Sequence, residues 1–132
     1  MISAIVLAAG LSTRMGSENK LLLPFNGKPV IVTVIENIIH SGIEERIVVT
    51  GRDAGLVSDL LKSLPVKIIY NDAFKKGMTA TIQKGVSVAN GEGYMICLGD
   101  MPFITSGEYK QLSVFFKKQR QENVACICIA EH

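Results

Sequence analysis

Ile2 to Ala8 is an apolar run of strand length that stops abruptly at the small residues Ala9 and Gly10. A strand with apolar residues on both of its faces must be covered on both sides, which is the situation in a parallel sheet sandwiched by helices. The rest of the chain repeats the theme. Pro29 to His40 places Val30, Ile31, Val34, Ile35, Ile38 and Ile39 at helical spacing, and Gly42 ends that helix. Arg46 to Thr50 reads as a second strand, Asp53 as the cap of a helix running to Leu61, and Val66 to Tyr70 as a third strand after Pro65. Met78, Ile82, Val86 and Ala89 fall on one helical face, and Tyr94 to Leu98 makes a fourth strand. Thr105 and Glu108 form a capping-box pattern that opens a helix to about Arg120, and Val124 to Ala130 reads as a fifth strand. Strands and helices in alternation predict a Rossmann-like α/β fold, a mostly parallel sheet with helices on both faces. In such sheets the loops beyond the carboxyl ends of the strands hold the ligand.

A chain of 132 residues, 48% of them hydrophobic, suffices for one domain with a real core, and residues 1–132 are expected to form one. The net charge of +2 and scattered basic residues, apart from Lys75-Lys76 and Lys117-Lys118, argue against nucleic acid as a partner. No apolar stretch approaches the ~18 residues of a membrane span, and the N-terminal run has no cationic lead-in, so a cytoplasmic protein is expected. Cys97, Cys126 and Cys128 are an odd count in apolar runs, which predicts buried thiols rather than disulfides or a zinc site. The chain ends at Glu131-His132 straight after a strand, which fits either a native end or the stub of a tag. A last strand without a covering helix could pair with a second copy, giving a homo-oligomer.

The chemistry gathers in three segments. After the first strand, a Gly/Ser loop ends in two cations, Arg14 and Lys20, so that loop N–H groups and both side chains can face anionic oxygens. Its glycine spacing matches neither the dinucleotide fingerprint nor the P-loop, which removes a dinucleotide-dependent oxidoreductase from the leading readings. In Cys97-Leu-Gly-Asp-Met-Pro-Phe103 an apolar strand delivers one carboxylate, Asp100, at its carboxyl end. One Asp plus a triphosphate and water suits Mg²⁺, which takes few protein carboxylates. The third segment, Asn71-Asp72-Ala-Phe-Lys-Lys-Gly77-Met78-Thr79, is a polar loop entering a helix. Met15 and Met78 read as packing or pocket lining, Lys28 as part of a tight turn, and His40 as a C-terminal cap without a catalytic role.

Leu7-Ala-Ala-Gly-Leu-Ser-Thr-Arg-Met-Gly16 through Lys20, followed by Leu22-Leu-Pro-Phe-Asn-Gly-Lys-Pro29, resembles the signature of the MobA-like nucleotidyltransferases, and more than a dozen positions carry the likeness. The resemblance implies a nucleotide-diphospho-sugar transferase-like sheet and a loop that wraps a nucleoside triphosphate. It implies that Arg14 and Lys20 hold the triphosphate, that backbone groups of Leu7, Ala8, Ala9 and Gly10 read the base, and that Ser12 also belongs to the nucleotide-binding residues. Asp100 in Leu98-Gly-Asp-Met-Pro102 would bind Mg²⁺, and Asn71, Gly77, Met78 and Thr79 would line the nucleotide pocket. Ala9, where the guanylyl branch carries a second glycine, makes CTP the favoured nucleotide, and the resemblance to the MobA-like group makes molybdopterin the favoured phosphorylated acceptor. Members of the family are longer than this chain, so the acceptor-binding portion and a second acidic metal ligand are expected outside it. Other nucleotidyltransferases, acting on sugar phosphates or isoprenoid precursors, are the nearest alternatives, and a non-catalytic nucleotide-binding module is the alternative from another class.

Overall fold

The computed structural model describes residues 1–9, 19–121 and 128–129. Strand β1 (Ile2–Ala8) has the bounds of its apolar run. A 3₁₀ turn (Lys20–Leu22), β2 (Pro24–Phe25), β3 (Lys28–Pro29), α1 (Val30–His40), β4 (Glu45–Thr50) and α2 (Ala54–Leu61) follow. Then come β5 (Lys67–Tyr70), a second 3₁₀ turn (Phe74–Lys76), α3 (Met78–Ser87), β6 (Gly93–Leu98), α4 (Ser106–Gln121) and β7 (Cys128–Ile129). Five strands form one sheet in the order β5-β4-β1-β6-β7, and every pairing in it is parallel. The chain runs outward from β1 to β5 on one side and outward through β6 on the other, so strand order reverses at β1. This is the predicted Rossmann-like α/β fold, and it puts the topological switch point between β1 and β6.

Helices cover both faces, unequally. Ile2, Ala4, Val6 and Ala8 share the larger core with Ile31, Val34 and Ile35 of α1, Val57 and Leu61 of α2, and Tyr109 and Phe116 of α4. Each aliphatic side chain buried there is worth about 2 kcal/mol relative to exposure. Ile5 turns to the opposite face, where it packs with Ile47, Val49 and the flanking Leu7, Ile69 and Val86 under α3. Gly85 lets α3 lie close, because a Cβ there would come within 2.5 Å of Ile5 Cγ2. Among the described residues no helix is long and apolar enough to cross a membrane.

The local signals held in most places. Gly42 takes φ +84° just after α1, and Asn26 (φ +51°) with Gly27 (φ +84°) forms the two-residue turn that joins β2 to β3. Thr105 and Glu108 close the capping box, with the Glu108 N–H donating to Thr105 Oγ1 (3.2 Å) and the Thr105 N–H to Glu108 Oε1 (3.3 Å). Two expectations need correction. Asp53 occupies the cap position of α2 but makes no capping hydrogen bond, since it sits at φ +55°, ψ +34° rather than in the extended region from which a cap side chain reaches the helix. The buried stripe of α3 centres on Thr81 and Gly85 instead of starting at Met78, which is 56% exposed, and the helix ends before Ala89. Cys97 is buried as predicted, and burial pushes its thiol up to about 12, which leaves it inert at neutral pH. Of the predicted last strand, Cys128–Ile129 pairs in parallel with Met95 and Ile96, while Cys126 lies outside the described residues.

Candidate functional site

The carboxyl ends of the strands are stitched together by backbone hydrogen bonds. The Gly99 N–H after β6 donates to Leu7 O (3.0 Å), the Arg52 N–H after β4 to Ala9 O (2.8 Å), and the Asn71 N–H after β5 to Thr50 O (2.8 Å). Glycine is needed at position 99, because a Cβ would lie 2.7 Å from Leu7 O and also press on Ile31. The close approach sets Asp100 directly beyond the end of β1, where its carboxylate is exposed.

Lys20 reaches the same place from the other side. Asn19 caps the 3₁₀ turn of Lys20–Leu22 by accepting the Leu21 N–H on Oδ1 (3.0 Å), and this leaves Lys20 exposed. Lys20 and Asp100 line one cleft of about 320 Å³ together with Leu23, Pro24, Phe25, Val30, Pro102 and Phe103. Phe25 and Phe103 meet edge to face, with ring centroids 5.1 Å apart at 89°, and Phe103 remains 60% exposed. The cleft thus carries a cation, a carboxylate and an apolar wall that includes two aromatic rings. Its aromatic pair was hidden in the sequence, because Phe25 in β2 and Phe103 in the loop after β6 are 78 positions apart and only the fold brings them together.

Among the described residues no three His, Cys, Asp or Glu side chains cluster as a metal cage would require. A protein-enclosed zinc site is therefore a poor fit for the described cleft. Mg²⁺ fits better, because Asp100 can give one oxygen and phosphate oxygens with water can complete the octahedron.

The remaining candidates fall into separate groups. Ala8 and Ala9 are buried, so at the end of β1 they present backbone rather than side chain, while the Leu7 and Ala9 carbonyls already accept the Gly99 and Arg52 N–H groups. Gly10, Ser12 and Arg14 lie outside the described residues. Asn71 is only 3% exposed, and its side chain braces the loop, accepting the Ala73 N–H (3.0 Å) and donating to Thr81 Oγ1 (3.3 Å). Thr81 is a partner that the sequence reading passed over. Gly77 (φ +107°), Met78 and Thr79 open α3, whose N-terminus has no side-chain cap, and Met78 and Thr79 are exposed. This group follows β5 and does not line the cleft of Lys20 and Asp100.

A protein of Methanosarcina acetivorans named as a probable molybdenum cofactor guanylyltransferase is 31% identical to the chain over 110 residues, covering 79% of the chain and 48% of that protein. The solved structure of a nucleotidyl transferase from Methanothermobacter thermautotroptrophicus superposes with a TM-score of 0.79 at 34% identity, covering 86% of this chain and 57% of that one. A protein named nicotine blue oxidoreductase, from Paenarthrobacter nicotinovorans, is 26% identical over 125 residues, 94% of this chain and 61% of that protein. The chain therefore spans about half the length of the first of these relatives. The model of the MobA-like NTP transferase domain matches residues 4–132, a stretch that holds most of β1, the Lys20 turn and the Asp100 loop alike, and the chain belongs to that family.

Proposed function

We propose that the protein is a Mg²⁺-dependent nucleotidyltransferase that moves a nucleoside monophosphate from a nucleoside triphosphate, CTP favoured, to a phosphorylated acceptor such as molybdopterin. The observation that carries this reading is the meeting of Lys20 and Asp100 in one cleft at the switch point of the sheet. Because one relative bears an oxidoreductase name, the reading rests on that cleft more than on family membership.

In the reaction an oxygen of the acceptor phosphate attacks the α-phosphorus, a new P–O bond forms, the α–β bridging P–O bond breaks, and pyrophosphate leaves with its electron pair. The chain's part is positioning and charge neutralisation. Lys20, with Arg14, binds the β- and γ-phosphates and takes up the negative charge that grows on the leaving group. Asp100 is the residue that would hold Mg²⁺, which supplies charge neutralisation and orientation to the phosphates when bound. A phosphate monoester is already ionised near neutral pH, so no general base has to be found among these residues. The inert Cys97 and the triphosphate substrate both suit the cytoplasm.

CTP is favoured by Ala9 at the position of a second glycine in the guanylyl branch. GTP is the second reading, supported by the relative named as a guanylyltransferase. Calorimetric titration with CTP, GTP and ATP in the presence of Mg²⁺, followed by pyrophosphate release in the presence of molybdopterin, tests the proposal. Tightest binding of CTP, with pyrophosphate formed only when acceptor is added, is the expected result. Preference for GTP overturns the choice of nucleotide, and binding of none of the three overturns the function.

A further inference from the structure

Asp53 is, with Asn26, one of two non-glycine residues at positive φ among those described. Asn26 sits in a hairpin turn that demands such a conformation. Asp53 sits in the connection from β4 to α2, where glycine would take φ +55° at lower cost, and it fails to cap the helix it precedes. A residue kept in a costly conformation without its usual local reward points to another use for its side chain.

That use is visible in its contacts. The Asp53 carboxylate accepts a hydrogen bond from Asn19 Nδ2 (3.3 Å) and pairs with Arg52 Nε (3.8 Å). Asn19 is only 6% exposed, and its other amide atom, Oδ1, accepts the Leu21 N–H (3.0 Å) within the turn that carries Lys20. The residue before Asp53, Arg52, donates its N–H to Ala9 O at the end of β1 (2.8 Å). One short connection, Gly51 to Asp53, thus holds both Ala9 and Asn19, the described residues on either side of the first loop. Gly51 seats that connection tightly, since a Cβ on it would come 2.5 Å from Phe74 Cβ.

We propose that Asp53 is a positioning residue for triphosphate binding. Its carboxylate orients the Asn19 amide, the amide caps the 3₁₀ turn, and the turn holds Lys20 at the cleft. Asp53 touches no substrate in this account and acts only through Lys20, so the inference rests on the reading of Lys20 as a triphosphate ligand given above.

Two substitutions separate this role from a merely structural one. Asp53→Gly removes the carboxylate and relieves the positive φ, whereas Asp53→Asn keeps an oxygen acceptor and a residue tolerant of the left-handed region. Titration of each full chain with CTP and Mg²⁺ is expected to show a roughly tenfold loss of affinity for Asp53→Gly, with a thermal midpoint equal to or above that of the parent. Asp53→Asn is expected to stay within about threefold of the parent, since one hydrogen bond is kept but weakened. In a Lys20→Ala background, Asp53→Gly is expected to cost nothing further, because residues acting as one unit are not additive. Unchanged affinity in Asp53→Gly, or full additivity with Lys20→Ala, overturns the positioning role while leaving the function of Lys20 intact. Where the parent prefers GTP, the same titrations are run with GTP. A parent chain that binds none of CTP, GTP and ATP, or whose Lys20→Ala variant binds as well as the parent, overturns the underlying reading and the positioning role together.

Discussion

At the amino ends of the strands the carboxylates of Glu44 and Glu45 are each engaged by several partners, whereas at the carboxyl ends Asp100 and Lys20 are left facing solvent. Glu45, the first residue of β4, accepts hydrogen bonds from Ser3 Oγ (2.6 Å), the Asn90 N–H (2.7 Å), Asn90 Nδ2 (2.9 Å) and Lys67 Nζ (3.4 Å). It ties together the starts of β1, β4, β5 and β6. Next to it Glu44 accepts the Ile2 N–H (3.1 Å) and pairs with Lys117 of α4 (2.9 Å). These partners hold both carboxyls down to about 2, led by Ser3 for Glu45 and by Lys117 for Glu44. At the opposite end Asp100 and Lys20 are exposed and share an open cleft, and no hydrogen bond or ion pair within the described residues engages Asp100. Acidic residues of the same kind therefore do different work according to the end of the strand they occupy and the partners they meet there. Glu44 and Glu45 at the amino end stabilise the sheet, Asp53 at the carboxyl end is engaged by Asn19 and Arg52, and Asp100 at that same end is available to a ligand, as the topology of parallel sheets leads one to expect.

The contrast can be broken by exchanging the two readouts, affinity and stability. Asp100→Asn should lower nucleotidyl transfer by about a hundredfold or more, while the thermal midpoint stays where it was. A large drop in midpoint would mean that Asp100 is structural after all. Glu45→Ala should do the reverse. Leaving the Ser3 hydroxyl and the Asn90 N–H without their acceptor costs about 2 kcal/mol of stability, measurable by urea denaturation, with nucleotide affinity of the folded protein unchanged. Lys20→Ala should weaken CTP binding by about tenfold, the size of one charge-assisted hydrogen bond, again without a stability change.

The acid limb of stability sharpens the same contrast. Because Glu44 and Glu45 titrate near 2 in the folded protein and near 4.5 when unfolded, their contribution is fully present above pH 4.5 and is lost as pH falls toward 2. Denaturation midpoints followed across that window should fall steadily, and in Glu45→Ala the fall should be shallower. The smallest effect belongs to Thr105→Ala, which removes the cap of α4 on the carboxyl side of the sheet and should cost about 1 kcal/mol. Since this cap is a stability element at the ligand end, unchanged CTP affinity in the variant would show that the division lies between individual side chains rather than between whole ends.

Much of this was legible from local pattern, and the rest depended on which segments the fold brings together. The apolar run of β1, the Thr105–Glu108 capping box and the Asn26-Gly27 turn are short-range signals, and the structure follows them. Asp100 stood out because a strand delivers it to the end of the sheet where ligands bind. Asp53 misled because an Asp before a helix usually caps it, and only the left-handed backbone, fixed by contacts to Ala9 and Asn19, sends its carboxylate elsewhere. Val86 and Ala89 pack on the core as the spacing predicts, but Met78 does not, and Thr81 and Gly85 are the buried centre of α3, because hydrophobic spacing does not register a glycine at the point of closest approach. The polar loop marks Asn71 in the sequence, but its buried bonds to Ala73 and Thr81 emerge only from the packing of α3. The Glu45 clasp joins residues up to 45 positions apart, beyond the reach of any local pattern.

CTP affinity measured with and without Mg²⁺ in the parent and in Asp100→Asn decides whether Asp100 holds the Mg²⁺ proposed to accompany the triphosphate. The account predicts that Mg²⁺ strengthens CTP binding about tenfold or more in the parent and has little effect in the variant. An equal gain from Mg²⁺ in both proteins would contradict it.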